Sequence, residues 1–192
     1  MQKANSNYTE LESGLRWLLG AEHRFSPFQD ARPLGCDVDA IVIHNISLCP
    51  GQFGSGYVDQ LFLGCVQVDQ PVLADVRGLR VSAHLFIRRD GSVVQYVPFD
   101  RRAWHAGVSE LAGRSRCNDF SIGIEMEGSD DLPYCEDQYT SLVEVTAALL
   151  DAYPRISRDR IVGHSDIAPG RKTDPGPAFD WPRFLTELNK AM

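Results

Sequence analysis

The stretch Phe120-Ser-Ile-Gly-Ile-Glu-Met-Glu127 alternates strictly between apolar and small or polar residues, and this period of two constrains the chain more than any other feature. Successive side chains of a strand point to opposite faces, so Phe120, Ile122, Ile124 and Met126 are expected on one face. Ser121, Gly123, Glu125 and Glu127 share the other. A second run, Ala40-Ile-Val-Ile43, is apolar throughout, as a central strand covered on both sides requires, and it ends at His44-Asn45. Residues 81–88 and 93–97 read as a hairpin joined across Asp90-Gly91, and 160–163 as a short strand leading into His164. Helices are expected around 57–63 and over 136–153, where Leu142, Val145, Ala148, Leu149 and Ala152 recur at helical spacing before Pro154. A last helix should start after Asp180 as N-cap, with Pro182 in its first turn. Strands interspersed with helices predict an α/β fold, a single domain with a mixed central β-sheet flanked by helices.

The chain has 192 residues, enough for one core that buries roughly 70% of the unfolded surface without a structural metal or disulfide. No repeat or linker divides it; residues 1–24 read as an N-terminal tail or helix and 25–192 as the domain. With 26 acidic against 19 basic side chains the formal charge is -7, which disfavours nucleic acid as a partner because phosphate binding leans on clustered Lys and Arg. No run approaches the roughly 20 apolar residues of a membrane span, and residues 1–24 lack the pattern of an export signal. Cys36, Cys49, Cys65, Cys117 and Cys135 are scattered and odd in number, so free thiols in a reducing cytoplasm are expected. No apolar helical stripe is left over for a partner, and the expectation is a monomer.

Two of the five histidines, His44 and His164, sit where apolar strands run out, the place where open α/β sheets bind ligands. A lone histidine there is more often structural. Downstream of His164 the chain reads His-Ser-Asp-Ile-Ala-Pro-Gly-Arg-Lys-Thr-Asp-Pro-Gly-Pro177, whose prolines and glycines argue against a helix and for a loop of few conformations. Pro175 biases Asp174 toward extended geometry, which turns Lys172 to the same side as Asp174. Two histidines with an aspartate make a three-ligand set of the kind that holds catalytic zinc and leaves a fourth position open. The alternative is a rigid surface connector carrying a Lys–Asp pair. Glu125 is the general-base candidate because it lies further from the strand end than Glu127 and is the more desolvated, although parity does not separate the two. Ser121 and Gly123 leave little bulk on that face, so a substrate could approach the backbone closely. Trp104 and His105 would form an aromatic wall for a sugar or peptide, with core packing the alternative for Trp104. Arg116 and Arg171 are candidates for substrate carboxylates.

Taken together, His44-Asn-Ile-Ser, Val81-Ser-Ala-His-Leu-Phe-Ile-Arg-Arg-Asp-Gly91, Gln95-Tyr-Val-Pro-Phe-Asp100, Ala103-Trp-His-Ala-Gly107, Cys117-Asn-Asp-Phe-Ser-Ile-Gly-Ile-Glu125 and Arg171-Lys-Thr-Asp-Pro-Gly-Pro177 resemble the AmpD-type amidases of cell-wall recycling. The resemblance runs from about Phe25 to Phe184. It implies a cytoplasmic zinc amidase that cuts between anhydro-N-acetylmuramic acid and the L-alanine of the stem peptide, with a small muropeptide as its partner. On that resemblance His44, His164 and Asp174 match the zinc ligands, Glu125 the catalytic acid/base and Lys172 the residue that stabilises the oxyanion. Arg80, Trp104, Arg116 and Arg171 match positions lining the substrate groove. Relatives in the wider superfamily often carry a cysteine as third ligand and a tyrosine before the histidine of the second block. Asp174 and Ala83 stand there instead, which favours the AmpD-type branch and makes His84 a structural residue. The rival expectation is a recognition module that binds muropeptides without cutting them; such modules typically lack a zinc ligand.

Overall fold

The computed structural model describes residues 8, 11, 12, 14, 16–67 and 69–192. Along the chain these residues form β1 (Glu22–His23), β2 (Gln29–Ala31), β3 (Ala40–Ile46), α1 (Tyr57–Phe62), β4 (Leu85–Ile87), β5 (Val93–Gln95), β6 (Arg101–Ala103), β7 (Glu110–Leu111) and β8 (Arg114–Ser115). They continue with β9 (Ser121–Glu127), α2 (Glu136–Ala152), β10 (Ile161–Gly163), α3 (His164–Ile167) and α4 (Trp181–Ala191). Six strands make one sheet in the order β1-β5-β4-β9-β3-β10, with β4 and β5 antiparallel and every other pair parallel. The two longest strands, β9 and β3, are neighbours in its interior, each flanked on both sides, as their apolar content requires. The α/β class and the mixed sheet are therefore as expected.

Period two decides what each face does. Ile41 and Ile43 of β3, Ile122, Ile124 and Met126 of β9, and Leu85 and Ile87 of β4 share a cluster with Leu142, Val145 and Leu149 of α2 and Phe184 and Leu188 of α4. The opposite parity faces the other way: Phe86 and Val94 pack with Val58, Leu61 and Phe62 around α1, and Ala40 and Val42 pack with Ile167 and Phe120. Helix α4 is capped as expected, with the Asp180 carboxylate accepting from the Arg183 N–H at 2.9 Å. The β4–β5 hairpin turns where Gly91, at φ 78°, donates its N–H to the Arg88 carbonyl at 2.9 Å.

Several expectations differ from the observed fold. Phe120 does not continue the apolar face of β9, because its ψ of 6° is not extended and sends the ring to the opposite side. The segment after His164 is not free of helix: α3 makes one turn before Pro169, the first proline, can interrupt it. Residues 1–24 do not form a helix or tail where they are described, since Leu18 is fully buried and β1 adds a parallel strand to the sheet. Residues 1–7, 9, 10, 13 and 15 lie outside the described part. Glu127, expected at an exposed strand end, is only 6% exposed. No helix among the described residues is long and apolar enough to cross a membrane.

Candidate metal centre and active site

β3 and β10 are adjacent and parallel, with Ile43 opposite Gly163, so the next residue of each chain segment is a histidine and the two imidazoles leave the sheet side by side. On the other flank β9 sets Glu125 directly opposite His44. Both residues have the parity that points away from α2, so ligand and carboxyl share one side of the sheet. Asp174 arrives from the loop. That loop is tied down by the Pro175 carbonyl, which accepts from the Asn45 amide at 3.1 Å and the Tyr134 hydroxyl at 2.8 Å, and by the Ser165 N–H, which donates to the Asp174 carbonyl at 2.9 Å.

These elements bring His44 Nδ1, His164 Nδ1 and Asp174 Oδ2 into a triangle with sides of 2.9, 3.0 and 3.0 Å. All three residues are buried. His164 donates its Nε2–H to the Ala106 carbonyl at 3.0 Å, which leaves its Nδ1 as a lone pair, and the carboxylate oxygen is also an acceptor. Acceptors crowded into so small a space repel one another unless a cation sits among them, and two imidazole nitrogens with a carboxylate oxygen suit a first-row divalent ion. The residues fit a metal. Burial pushes the His44 imidazole down to about 4 against the contrary pull of Asp174, which keeps the ring neutral as a ligand must be.

The ligands open into a cavity of about 230 Å³ that Glu125, Lys172 and Trp104 also line. Burial pushes the Glu125 carboxyl well above its ordinary value, with Asp174 pushing the same way and Lys172 less strongly against. Its Oε2 is buried and has no hydrogen-bond partner, the condition of a group kept for an incoming molecule. Glu127 is not available. Its two oxygens accept from the Gly54 N–H at 2.6 Å and the Arg89 N–H at 3.0 Å, so it pins the loop before α1 to the hairpin.

The predicted arginines are placed differently from one another. Arg80 lies over the Trp104 ring, 5.2 Å from its centroid. Arg116 is exposed and lines a neighbouring cavity of about 330 Å³ that shares Trp104 as a wall. Arg171 turns away from the cavity and donates to the carbonyls of Ala106 and Val108 at 2.7 and 2.6 Å. His84 is structural: its Nδ1 accepts from the Gly123 N–H at 3.0 Å and its Nε2 donates to the Arg101 carbonyl at 3.1 Å.

The bare face at Gly123 does not admit a substrate. The ring of His105 fills it, and a Cβ built on Gly123 would stand 2.4 Å from His105 Cγ. Gly123→Ala is therefore expected to destabilise the fold by about 1–3 kcal/mol, the usual cost of overpacking. Chaotrope unfolding checks this, and an unchanged midpoint would mean that the ring swings aside freely. His105, expected in an aromatic wall for substrate, instead contacts His44, and the missing side chain at Gly123 is the one sequence signal that a ring fills that face.

The sequence profile of the N-acetylmuramoyl-L-alanine amidases matches residues 34–177. The 1,6-anhydro-N-acetylmuramyl-L-alanine amidase AmpD of Escherichia coli (strain K12) is 56% identical over 181 residues, 94% of this chain and 97% of that protein. A crystal structure of a selenomethionine AmpD derivative superposes with a TM-score of 0.86 at 55% identity, covering 89% of this chain and 96% of the other. More distant is the E. coli amidase AmiD in complex with anhydro-N-acetylmuramic acid-L-Ala-D-γ-Glu-L-Lys, with a TM-score of 0.58 at 27% identity, covering 94% of this chain and 65% of that one. The chain belongs to the N-acetylmuramoyl-L-alanine amidase family, in the branch of the 1,6-anhydro-N-acetylmuramyl-L-alanine amidases.

Proposed function

We propose that this amidase, which cleaves the amide between anhydro-N-acetylmuramic acid and the L-alanine of the stem peptide in peptidoglycan recycling, does so with a zinc ion held by His44, His164 and Asp174. The observation that carries the proposal is the convergence of three ligand atoms in a cavity that also holds an unpartnered buried carboxyl and an ammonium. When bound, zinc supplies a Lewis acid and lowers the pKa of a coordinated water toward about 7. Glu125 takes a proton from the attacking water as its oxygen bonds the lactyl carbonyl carbon, and returns that proton to the alanine nitrogen as the C–N bond breaks. Burial suits Glu125 to both roles, since a carboxyl held above its ordinary range takes up a proton more readily than a free one and can still give it back. Lys172 faces the same cavity and offsets the negative charge that develops on the carbonyl oxygen.

Trp104 is common to the metal cavity and to the cavity at Arg116. The substrate extends across it, with its scissile amide over the ligands and stem-peptide carboxylates toward Arg116, while Arg80 braces the Trp104 ring. Arg171 supports the wall without touching the substrate. The complex of AmiD with an anhydro-muropeptide supports a ligand of this chemistry. Five unpaired cysteines suit a reducing compartment, and the enzyme works as a cytoplasmic monomer of one domain.

Mass spectrometry of an anhydro-muropeptide incubated with zinc-loaded and chelator-stripped protein tests the proposal. Release of free stem peptide only in the zinc-loaded sample is expected; intact substrate in both would move the weight to a recognition module. Lys172→Ala should keep the metal and lower kcat by about 10²–10³-fold, the scale for losing an oxyanion contact. Metal content and single-turnover rates check it, and a change in KM alone would assign Lys172 to binding.

A further inference from the structure

The proposed reaction leaves the imidazole of His105 without a task, yet its contacts are unusually directed. Nδ1 of His105 stands 2.9 Å from Nε2 of His44, and its Nε2 stands 3.2 Å from the hydroxyl oxygen of Ser121. Donors and acceptors can be assigned from the far end. The Ser121 hydroxyl lies 2.6 Å from the Cys117 carbonyl, which only accepts, so its proton is committed there. Its oxygen is then the acceptor for His105, which must carry its hydrogen on Nε2. A neutral imidazole has a single N–H, so Nδ1 of His105 is a lone pair and accepts from His44. The hydrogen of His44 therefore sits on Nε2, and its Nδ1 is left bare toward His164 Nδ1 and Asp174 Oδ2.

The rings are packed so that a neutral chain is favoured, with His105 centred 5.0 Å from His44 and 5.8 Å from His84 and seated on Gly123. The next residue along treats the other histidine alike, since the Ala106 carbonyl accepts Nε2–H of His164. One amide holds both acceptors in place: Oδ1 of Asn118 accepts from the backbone N–H groups of His105 and Ala106 at 3.1 and 2.8 Å.

We infer that His105 and Ser121 are positioning residues for the metal centre, a hydrogen-bonded relay from the Cys117 carbonyl through Ser121 and His105 that locks His44 as the Nε2–H tautomer and keeps its Nδ1 free to ligate. The inference rests on the ligand assignment made under Proposed function. Without the Ser121 hydroxyl, His105 is free to move its hydrogen to Nδ1. His44 must then accept at Nε2, and its own hydrogen is placed on Nδ1, inside the ligand triangle. Partners of this kind typically carry 10–100-fold in metal affinity.

The test uses the metal-free full chain labelled with ¹⁵N-histidine. Two-bond ¹⁵N–¹H correlations should show His44 and His105 both as Nε2–H tautomers. Ser121→Ala should shift His44 toward Nδ1–H and weaken zinc binding about 10-fold, and His105→Phe about 100-fold, by competition with a chromophoric chelator. Ser121→Ala removes a single oxygen and decides the matter even where His105→Phe does not fold. An unaltered His44 spectrum with zinc affinity within about twofold of wild type would overturn the relay. A wild-type protein that binds no zinc would overturn the ligand assignment, and the spectra of the metal-free Ser121→Ala protein would still decide the relay by themselves.

Discussion

Asp174→Ala is expected to leave the purified protein with no bound zinc and to lower turnover of anhydro-muropeptides by more than about 10³-fold, because the Lewis acid is lost with the metal. The triangle of ligand atoms has Asp174 Oδ2 as its only formal charge, 3.0 Å from each imidazole nitrogen. Removing it leaves two neutral nitrogens 2.9 Å apart, too few ligands for retention against buffer and water. The loop should stay where it is. Its anchors are backbone groups, the Pro175 carbonyl held by Asn45 and Tyr134 and the Asp174 carbonyl held by the Ser165 N–H, and none uses the carboxylate. The substitution thus separates metal loss from unfolding. Metal analysis after gel filtration, alongside thermal unfolding, checks both parts. A protein that retained one zinc per chain would show that another group completes the site.

The candidate site was legible in part because it depends on where apolar runs end and on alternation, which are local. His44 and His164 close the apolar runs of β3 and β10, although β3 itself continues to Ile46, and the parity of Glu125 turns it to the side opposite Ile124; that the three meet rests on β3 lying between β9 and β10. Asp174 was reachable because the prolines around it leave the loop few conformations. What could not be read is what depends on pairing between distant segments. Glu127 sits two residues beyond Glu125 with the same parity, and only the arrival of the Gly54 and Arg89 N–H groups makes it a buried clamp instead of a second base. His105 belongs to no periodic run; its place against Gly123 follows from an irregular segment held by Asn118. The expected strand 81–88 shrinks to Leu85–Ile87 for a similar reason, since the Ser82 N–H donates to the Trp104 carbonyl outside any strand. The fold of the site was in the pattern, and the support around it was in the packing.

Glu125→Gln should retain one zinc per chain and lose about 10²–10⁴-fold in kcat, the range attributed to a positioned acid/base. Glutamine keeps the shape and burial of the side chain while removing its capacity to take a proton. The wild-type carboxyl is 8% exposed and opposite His44 in the sheet register, so it stands beside the ligands without being one of them. Its unpartnered Oε2 costs stability in the resting protein, because a buried oxygen without a donor forfeits its hydration. For that reason Glu125→Gln should not lower the melting temperature, a pattern expected where a group is retained for chemistry and not for folding. The alternative base is excluded on geometry: both oxygens of Glu127 are engaged by backbone N–H groups, and Glu127 lines a different cavity with Gly54, Asp59 and Arg88. Stopped-assay mass spectrometry of stem-peptide release, with metal content measured on the same sample, decides the point. Near-normal turnover in Glu125→Gln would mean that the proton passes through the Lys172 side of the cavity, and Glu125→Gln, Lys172→Ala double-mutant rates would then show whether the two effects add.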